Sequence, residues 1–266
     1  MTTLHASASP VPTPTHSPTS PIGSKPALSA TPTPSSRTLL PPPDPSWVRG
    51  YAGRFIAFEG PDGSGKSTQF RRLSELAKAQ GVTVCEVREP GGTPVGERIR
   101  QHIVLAKADE GLEMSIRCEM LLYMASRAEL VEKKILPALK RGEMVLADRF
   151  VASTLAYQGA GGGLATSDIA AVARIATRNL IPDLYMIFDI DEAAAAKRLS
   201  PLLDRMEAKG AAFHRSVRQG YLDQAKADPG HYLVVDASRD ADNVWVQVQR
   251  TMAERVKTLP AARRAV

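Results

Sequence analysis

Residues 54–68 read RFIAFEGPDGSGKST, and this stretch decides the fold. Positions 54–59 are almost continuously apolar, as a strand buried on both faces tends to be. Gly60-Pro61-Asp62-Gly63-Ser64-Gly65-Lys66-Ser67-Thr68 then matches G-x-x-x-x-G-K-[ST], and a helical pattern follows over 67–80. The glycines let the backbone wrap so that consecutive N–H groups point at phosphate oxygens, and the helix behind them adds the positive end of its dipole. In such a loop Lys66 reaches the β- and γ-phosphates of a nucleoside triphosphate and Ser67 holds Mg²⁺.

Outward from this loop, short apolar runs alternate with helical patterns, the signature of an α/β fold with a parallel sheet. Five strands are predicted, at 54–59, 82–88, 144–148, 183–190 and 231–236. Helices are predicted near 67–80, 94–107, 114–141, 166–179, 191–200, 210–227 and 240–258. In the helix over 114–141, Cys118, Leu121, Leu122, Ala125, Leu130 and Ile135 recur at mostly helical spacing, a stripe whose default reading is core, and the leucines are read so. Tyr123 and Arg127 are four apart on one side of that helix, a polar-aromatic pair that core packing does not explain.

The chain has 266 residues, enough for one α/β domain with a remainder. The remainder is residues 1–50, rich in Pro, Ser, Thr and Ala with Asp44 as the one acid, which is predicted to be disordered because it has too little apolar surface to offset ordering. The domain proper is 51–266. No apolar run approaches the ~18 residues of a membrane span, and Cys85 and Cys118 form neither a metal-spaced pair nor a disulfide framework, so a cytoplasmic protein is expected. The formal net charge of +6 is spread over single residues such as Arg88, Arg127 and Arg149, without the aromatic or zinc patterns of nucleic-acid binders. Small phosphorylated ligands account for it better.

A phosphate-binding loop alone does not separate kinases from switches and motors. The guanine-reading Asn-Lys-x-Asp is missing from the sequence, and each strand is followed by polar residues suited to a second phosphate-bearing ligand. Strand two runs into Arg88-Glu89-Pro90-Gly91-Gly92-Thr93; strand three runs into Asp148-Arg149-Phe150 and then Ser153-Thr154-Leu155-Ala156-Tyr157-Gln158-Gly159. With the loop, with Leu121–Arg127, and with Asp204-Arg205-Met206-Glu207 and the 213–222 segment, these blocks resemble the thymidylate kinase family in order and spacing, from about residue 54 to about 256.

The resemblance implies the P-loop nucleoside monophosphate kinase fold and a transfer from Mg²⁺-ATP to dTMP within dTTP biosynthesis. It puts Arg88 and Arg149 on the acceptor phosphate, where guanidinium forks make paired charge-assisted bonds. It puts Asp148 near Mg²⁺ through water, Tyr123 on the pyrimidine face, and Arg127, Thr154 and Gln158 on the base edges. Tyr157 then excludes a ribose 2'-hydroxyl, and Asp62 faces the 3'-hydroxyl. It also implies a homodimer. No general base is needed, because the acceptor is already an anion. A rival deoxynucleoside kinase would need a carboxylate base for a 5'-hydroxyl; a catalytically silent nucleotide-binding module would not need Lys66 and Ser67. Since the loop carries Ser64 where some relatives have arginine, Arg198 and Arg205 of the lid segment are the candidates to cover the ATP phosphates.

Overall fold

The computed structural model describes residues 41–103, 114–198 and 209–260. The predicted disorder of residues 1–40 and the lid position of Arg205 lie outside these residues. Five strands, β1 (Phe55–Glu59), β2 (Val84–Arg88), β3 (Met144–Asp148), β4 (Leu184–Asp189) and β5 (Tyr232–Asp236), pair in the order β2-β3-β1-β4-β5, all parallel. All five predicted strands are present. β1 and β3 lie inside the sheet and are buried along nearly their whole length. β2 and β5 are the edges and are only partly buried, so their apolar runs overstate their burial.

The helices among the described residues are α1 (Lys66–Ala79), α2 (Pro94–Ile103), α3 (Ile116–Leu130), α4 (Leu136–Lys140), α5 (Val151–Thr154), α6 (Thr166–Thr177), α7 (Glu192–Ala196), α8 (Gly210–Ala227) and α9 (Ala241–Arg255). The helix predicted over 114–141 is interrupted by a wide π-type turn, Val131–Ile135. Pro137 supplies the cause: it has no N–H to give to the carbonyl four residues back, and the wider turn absorbs the missing bond. A second wide turn, Leu155–Gly161, extends α5 and carries Tyr157 and Gln158. Apolar side chains fill both faces of the sheet, Ile56 and Phe58 on one side and Phe55 and Ala57 on the other. All five strands end on a charged residue: Glu59, Arg88, Asp148, Asp189 and Asp236. That edge is where an open parallel sheet binds ligands.

The boundary predicted at residue 50 needs correction. Pro45–Tyr51 forms a 3-10 turn capped by Asp44, whose Oδ1 accepts from the Ser46 N–H at 2.8 Å. Val48 and Tyr51 are fully buried, Trp47 packs on the same core, and the Tyr51 hydroxyl donates to the Met252 carbonyl at 2.9 Å. Arg54 ties this turn to the other end of the domain, with Nε donating to the Gly50 carbonyl at 3.0 Å and Nη2 to the Pro260 carbonyl at 2.6 Å. Composition hid the anchor because Trp47, Val48 and Tyr51 follow directly on a proline-rich run. Deleting residues 2–40 is expected to leave the melting temperature nearly unchanged, and deleting 2–51 to lower it by ~10 °C or more, since burying these side chains contributes several kcal/mol. Calorimetry of the two truncations checks both.

Candidate active site

The loop between β1 and α1 folds as its glycines require. Gly60 has φ +128° and Gly63 φ +76°; a Cβ at Gly60 would meet the Phe188 carbonyl oxygen at 2.6 Å, and one at Gly63 would meet that of Ala195 at 2.5 Å. Lys66 begins α1, is buried, and donates from Nζ to the carbonyls of Gly60 at 3.0 Å and Pro61 at 2.9 Å. Burial and the Arg149 cation bring its ammonium down to about 8, with Asp62 pulling the other way. Ser67 is exposed in the first turn of α1, and Ser64 is buried with its hydroxyl unpartnered among the described residues.

Beside this loop stands Arg149, directly after β3 and at φ +71°, a left-handed conformation unusual for a residue with a side chain. Its guanidinium bonds the Asp62 carboxylate, reaches the Gly60 carbonyl at 3.2 Å and Ser153 at 3.1 Å, and lies 5.1 Å from the centre of the Tyr157 ring. Tyr157 in turn donates to Asp62 at 3.0 Å. Burial alone would raise the Asp62 carboxyl, but Arg149, Lys66 and the Tyr157 hydroxyl outweigh it and hold it well below the usual carboxylate range. The Arg149 turn is braced from below by Glu59, which is wholly buried. Glu59 accepts from the Phe150 N–H at 2.7 Å, the Ser153 hydroxyl at 2.6 Å and the Tyr221 hydroxyl at 3.2 Å. Burial pushes it up to about 7 against the pull of Ser153 and Arg149.

A pocket opens from Asp62 and Arg149 toward α3. Tyr123, Arg127, Thr154, Tyr157 and Gln158 all line it, so most of the predicted acceptor-side residues share one cavity. Arg127 is 1 % exposed, and its Nε donates to Glu89 at 2.7 Å while Nη2 donates to the Phe150 carbonyl and to Thr154, both at 3.1 Å. Glu89, raised by burial and pulled back by Arg127, was present in the sequence blocks but without an assigned role. Arg100 also lines the pocket and was missed; its Nη1 donates to the Pro90 carbonyl at 3.1 Å. Turning Ser126 and Arg127 inward swings α3 round, so Leu121, read as core, is exposed, as are Cys118 and Ala125 of the same stripe, and Met120 and Met124 are buried instead.

Two arginines stand elsewhere. Arg88 is more than half exposed, is held by both oxygens of Glu97 at 3.1 Å, and lines a neighbouring recess with Phe70, Gly92 and Asp148. Arg198 donates to the carbonyls of Ala237 at 2.8 Å, Ser238 at 3.0 Å and Arg239 at 3.3 Å, which fastens it to the loop after β5. There it lines a third recess with Ser64, Thr68, Gln69 and Arg239, on the outer side of the phosphate loop.

A phosphate loop with one recess beside its helix and an arginine-guarded pocket across from it defines a P-loop kinase of nucleoside monophosphates. The thymidylate kinase family model matches residues 58–248. The thymidylate kinase of Deinococcus radiodurans is 44% identical over 207 residues, covering 76% of this chain and 98% of its own. That of Pseudomonas syringae pv. tomato is 45% identical over 204 residues, covering 76% and 96%. The crystal structure of thymidylate kinase from Ehrlichia chaffeensis aligns with TM-score 0.62 at 33% identity, over 76% of this chain and 98% of that one. The chain belongs to the thymidylate kinase family.

Proposed function

We propose a division of labour between the two sides of the phosphate loop. The protein is a dTMP kinase: it moves the terminal phosphoryl group of ATP onto dTMP, giving ADP and dTDP. The observation that carries the residue roles is Arg149, which lines the acceptor pocket and at the same time bonds the Gly60 carbonyl and Asp62 of the phosphate loop. One guanidinium thus stands where donor and acceptor phosphates meet. The transferring group passes through a loose transition state, so catalysis consists of positioning and of holding spread negative charge. Loop N–H groups and Lys66 hold the donor phosphates; Arg149, with Arg88 from the neighbouring recess, holds the acceptor phosphate.

The carboxylates argue for a phosphate acceptor over a hydroxyl. Asp62 is held ionised by Arg149 and is a weak base, and Glu89 is bound to Arg127. Neither suits deprotonation of a 5'-hydroxyl. The Ser67 hydroxyl and the Asp148 carboxylate are hard oxygen donors of the kind that suits Mg²⁺, which supplies charge neutralisation at the donor phosphates when bound. Tyr123 stacks on the base, Arg127, Thr154 and Gln158 meet its edges, and Asp62 meets the 3'-hydroxyl. Arg198, which follows α7 and is fastened to the loop after β5, serves the nucleoside end of ATP, leaving Arg205 as the lid arginine for the phosphates. Exposed Leu121 on α3 and Ile175 on α6, helices packed on each other, support a homodimer. No helix among the described residues is long and apolar enough to cross a membrane; we place the enzyme in the cytoplasm.

Sugar selection provides the test. The Tyr157 ring is buried against Arg149 and its hydroxyl bonds Asp62, on the side of the pocket to which we assign the sugar. Tyr157→Phe should keep the preference for dUMP over UMP, and Tyr157→Ala should reduce it by ~10-fold or more, the scale of removing a steric block from a shaped pocket. Unchanged discrimination in the alanine variant would remove Tyr157 from the sugar site. ADP release with a panel of monophosphates measures both this and the dTMP preference.

A further inference from the structure

We infer that Glu119 is a positioning residue that fixes which end of the Gln158 amide meets the acceptor base, and thereby sets the enzyme's preference for thymine over cytosine. The inference rests on the proposed contact between Gln158 and the base. Gln158 Nε2 donates to Glu119 Oε1 at 2.7 Å, and the two residues are 2 % and 1 % exposed. An ionised carboxylate accepts and never donates. The amide can therefore sit one way round, with nitrogen toward Glu119 and oxygen away from it. Among the described residues nothing donates to that oxygen, and Gln158 lines the pocket beside Tyr123, Arg127 and Thr154. The pocket is thus given a fixed acceptor.

Pyrimidines differ at the edge this acceptor would meet. Thymine and uracil carry an N3–H donor, whereas N3 of cytosine is a lone-pair acceptor. Two opposed acceptors in a buried site leave both unsatisfied. A free glutamine would rotate its amide and take either base. Glu119 removes that freedom.

The far side of Glu119 supplies a sharper consequence. Lys209, which caps α8, places its Nζ 3.8 Å from Glu119 Oε2. Glu119→Gln keeps the shape but makes the two ends of residue 119 unlike. An ammonium only donates, so the new amide turns its oxygen to Lys209 and its nitrogen to Gln158. Two amide nitrogens cannot face each other, and Gln158 turns over, presenting N–H to the base. The single-atom change should therefore do more than loosen selection; it should turn the reading group from acceptor to donor.

The experiment compares kcat/KM for dTMP, dUMP and dCMP in the full-length protein, its Q158L, E119Q and K209M variants and the E119Q/K209M double variant. dUMP and dCMP differ at the N3–C4 edge alone, so their ratio isolates it. E119Q is expected to lower the dUMP:dCMP ratio by ~10–100-fold, the range for one buried mismatched hydrogen bond. K209M should lower the ratio less than E119Q does, because it leaves the Glu119 side chain that faces Gln158 unaltered. The double variant should recover part of the lost ratio. A ratio within twofold of the parent in E119Q, with Q158L lowering dTMP efficiency, overturns the role of Glu119 and keeps the base contact. Unchanged dTMP efficiency in Q158L overturns the base contact and the inference with it. Independently of any variant's folding, the Gln158 side-chain amide protons of the unmutated protein should exchange with solvent ~10-fold or more slowly compared with an exposed glutamine. Exchange at the exposed rate overturns the fixed orientation.

Discussion

Replacing Lys66 with alanine is expected to reduce the turnover number by ~10³-fold or more, the scale of removing a preorganised cation from a transferring phosphoryl group. The size follows from the site. Lys66 is buried, so its charge acts in surroundings where Coulomb interactions are strong, and it already lies along the loop carbonyls that shape the cradle. The acceptor pocket does not include Lys66 among its lining residues, so dTMP affinity should change by no more than about threefold, the residue of losing a charge 3.9 Å from Asp62. Steady-state kinetics with dTMP titration calorimetry separates the two effects. Turnover near the parent's would remove the loop from the chemistry.

Arg149→Ala should be nearly as damaging, by a different route. In the proposed role the change removes a cation from the acceptor phosphate, and it also unties Asp62, Ser153, Tyr157 and the Gly60 carbonyl, all of which now meet at one guanidinium. We expect kcat/KM for dTMP to fall by ~10³-fold, with both kcat and KM affected, because ground-state and transition-state contacts are lost together. Arg149→Lys should recover less than a tenth of that loss, since an ammonium is a point charge and cannot bridge the Asp62, Ser153 and Gly60 partners as a planar fork does. A lysine variant within tenfold of the parent would show that charge alone matters here. The loss is not a backbone effect: Ala and Lys face the same left-handed conformation at φ +71°, so the two variants share that strain and differ in the side chain.

How much of this was legible beforehand depends on whether a residue acts locally. The phosphate loop is contiguous, and Gly60, Gly65, Lys66 and Ser67 are fixed by what a chain must do around a phosphate. The strands announced themselves by apolar runs, and in the structure each closes on a charge. The acceptor pocket was reachable through family blocks, yet its supports were not. Glu59 sits in an apolar strand and looks like that strand's end; that it braces Ser153 and Tyr221 depends on elements 94 and 162 residues away. Glu119 meets Gln158 across 39 residues. The face of α3 was misread for a related reason: helical periodicity marks apolar residues, whereas burial here follows Arg127 and its partners. Pairings over such separations leave no periodic trace in a single sequence. Arg88 shows the converse, a motif residue whose neighbour in space, Glu97, draws it off the pocket wall.

The clasp made by Arg54 has a consequence for what the domain can carry. Gly50 and Pro260 are both gathered at the foot of β1, while the phosphate loop begins at that strand's opposite end. Residues 50 and 260 therefore lie at the end of β1 opposite the phosphate loop. A reporter or a second enzyme fused directly to the domain at either of these points is joined at the end of the sheet opposite the phosphate loop, and the capped turn at Pro45–Tyr51 is the packed element through which an N-terminal fusion would connect. Because one arginine holds Gly50 and Pro260, a domain trimmed close to these residues is a candidate for joining there by a short linker and reopening elsewhere.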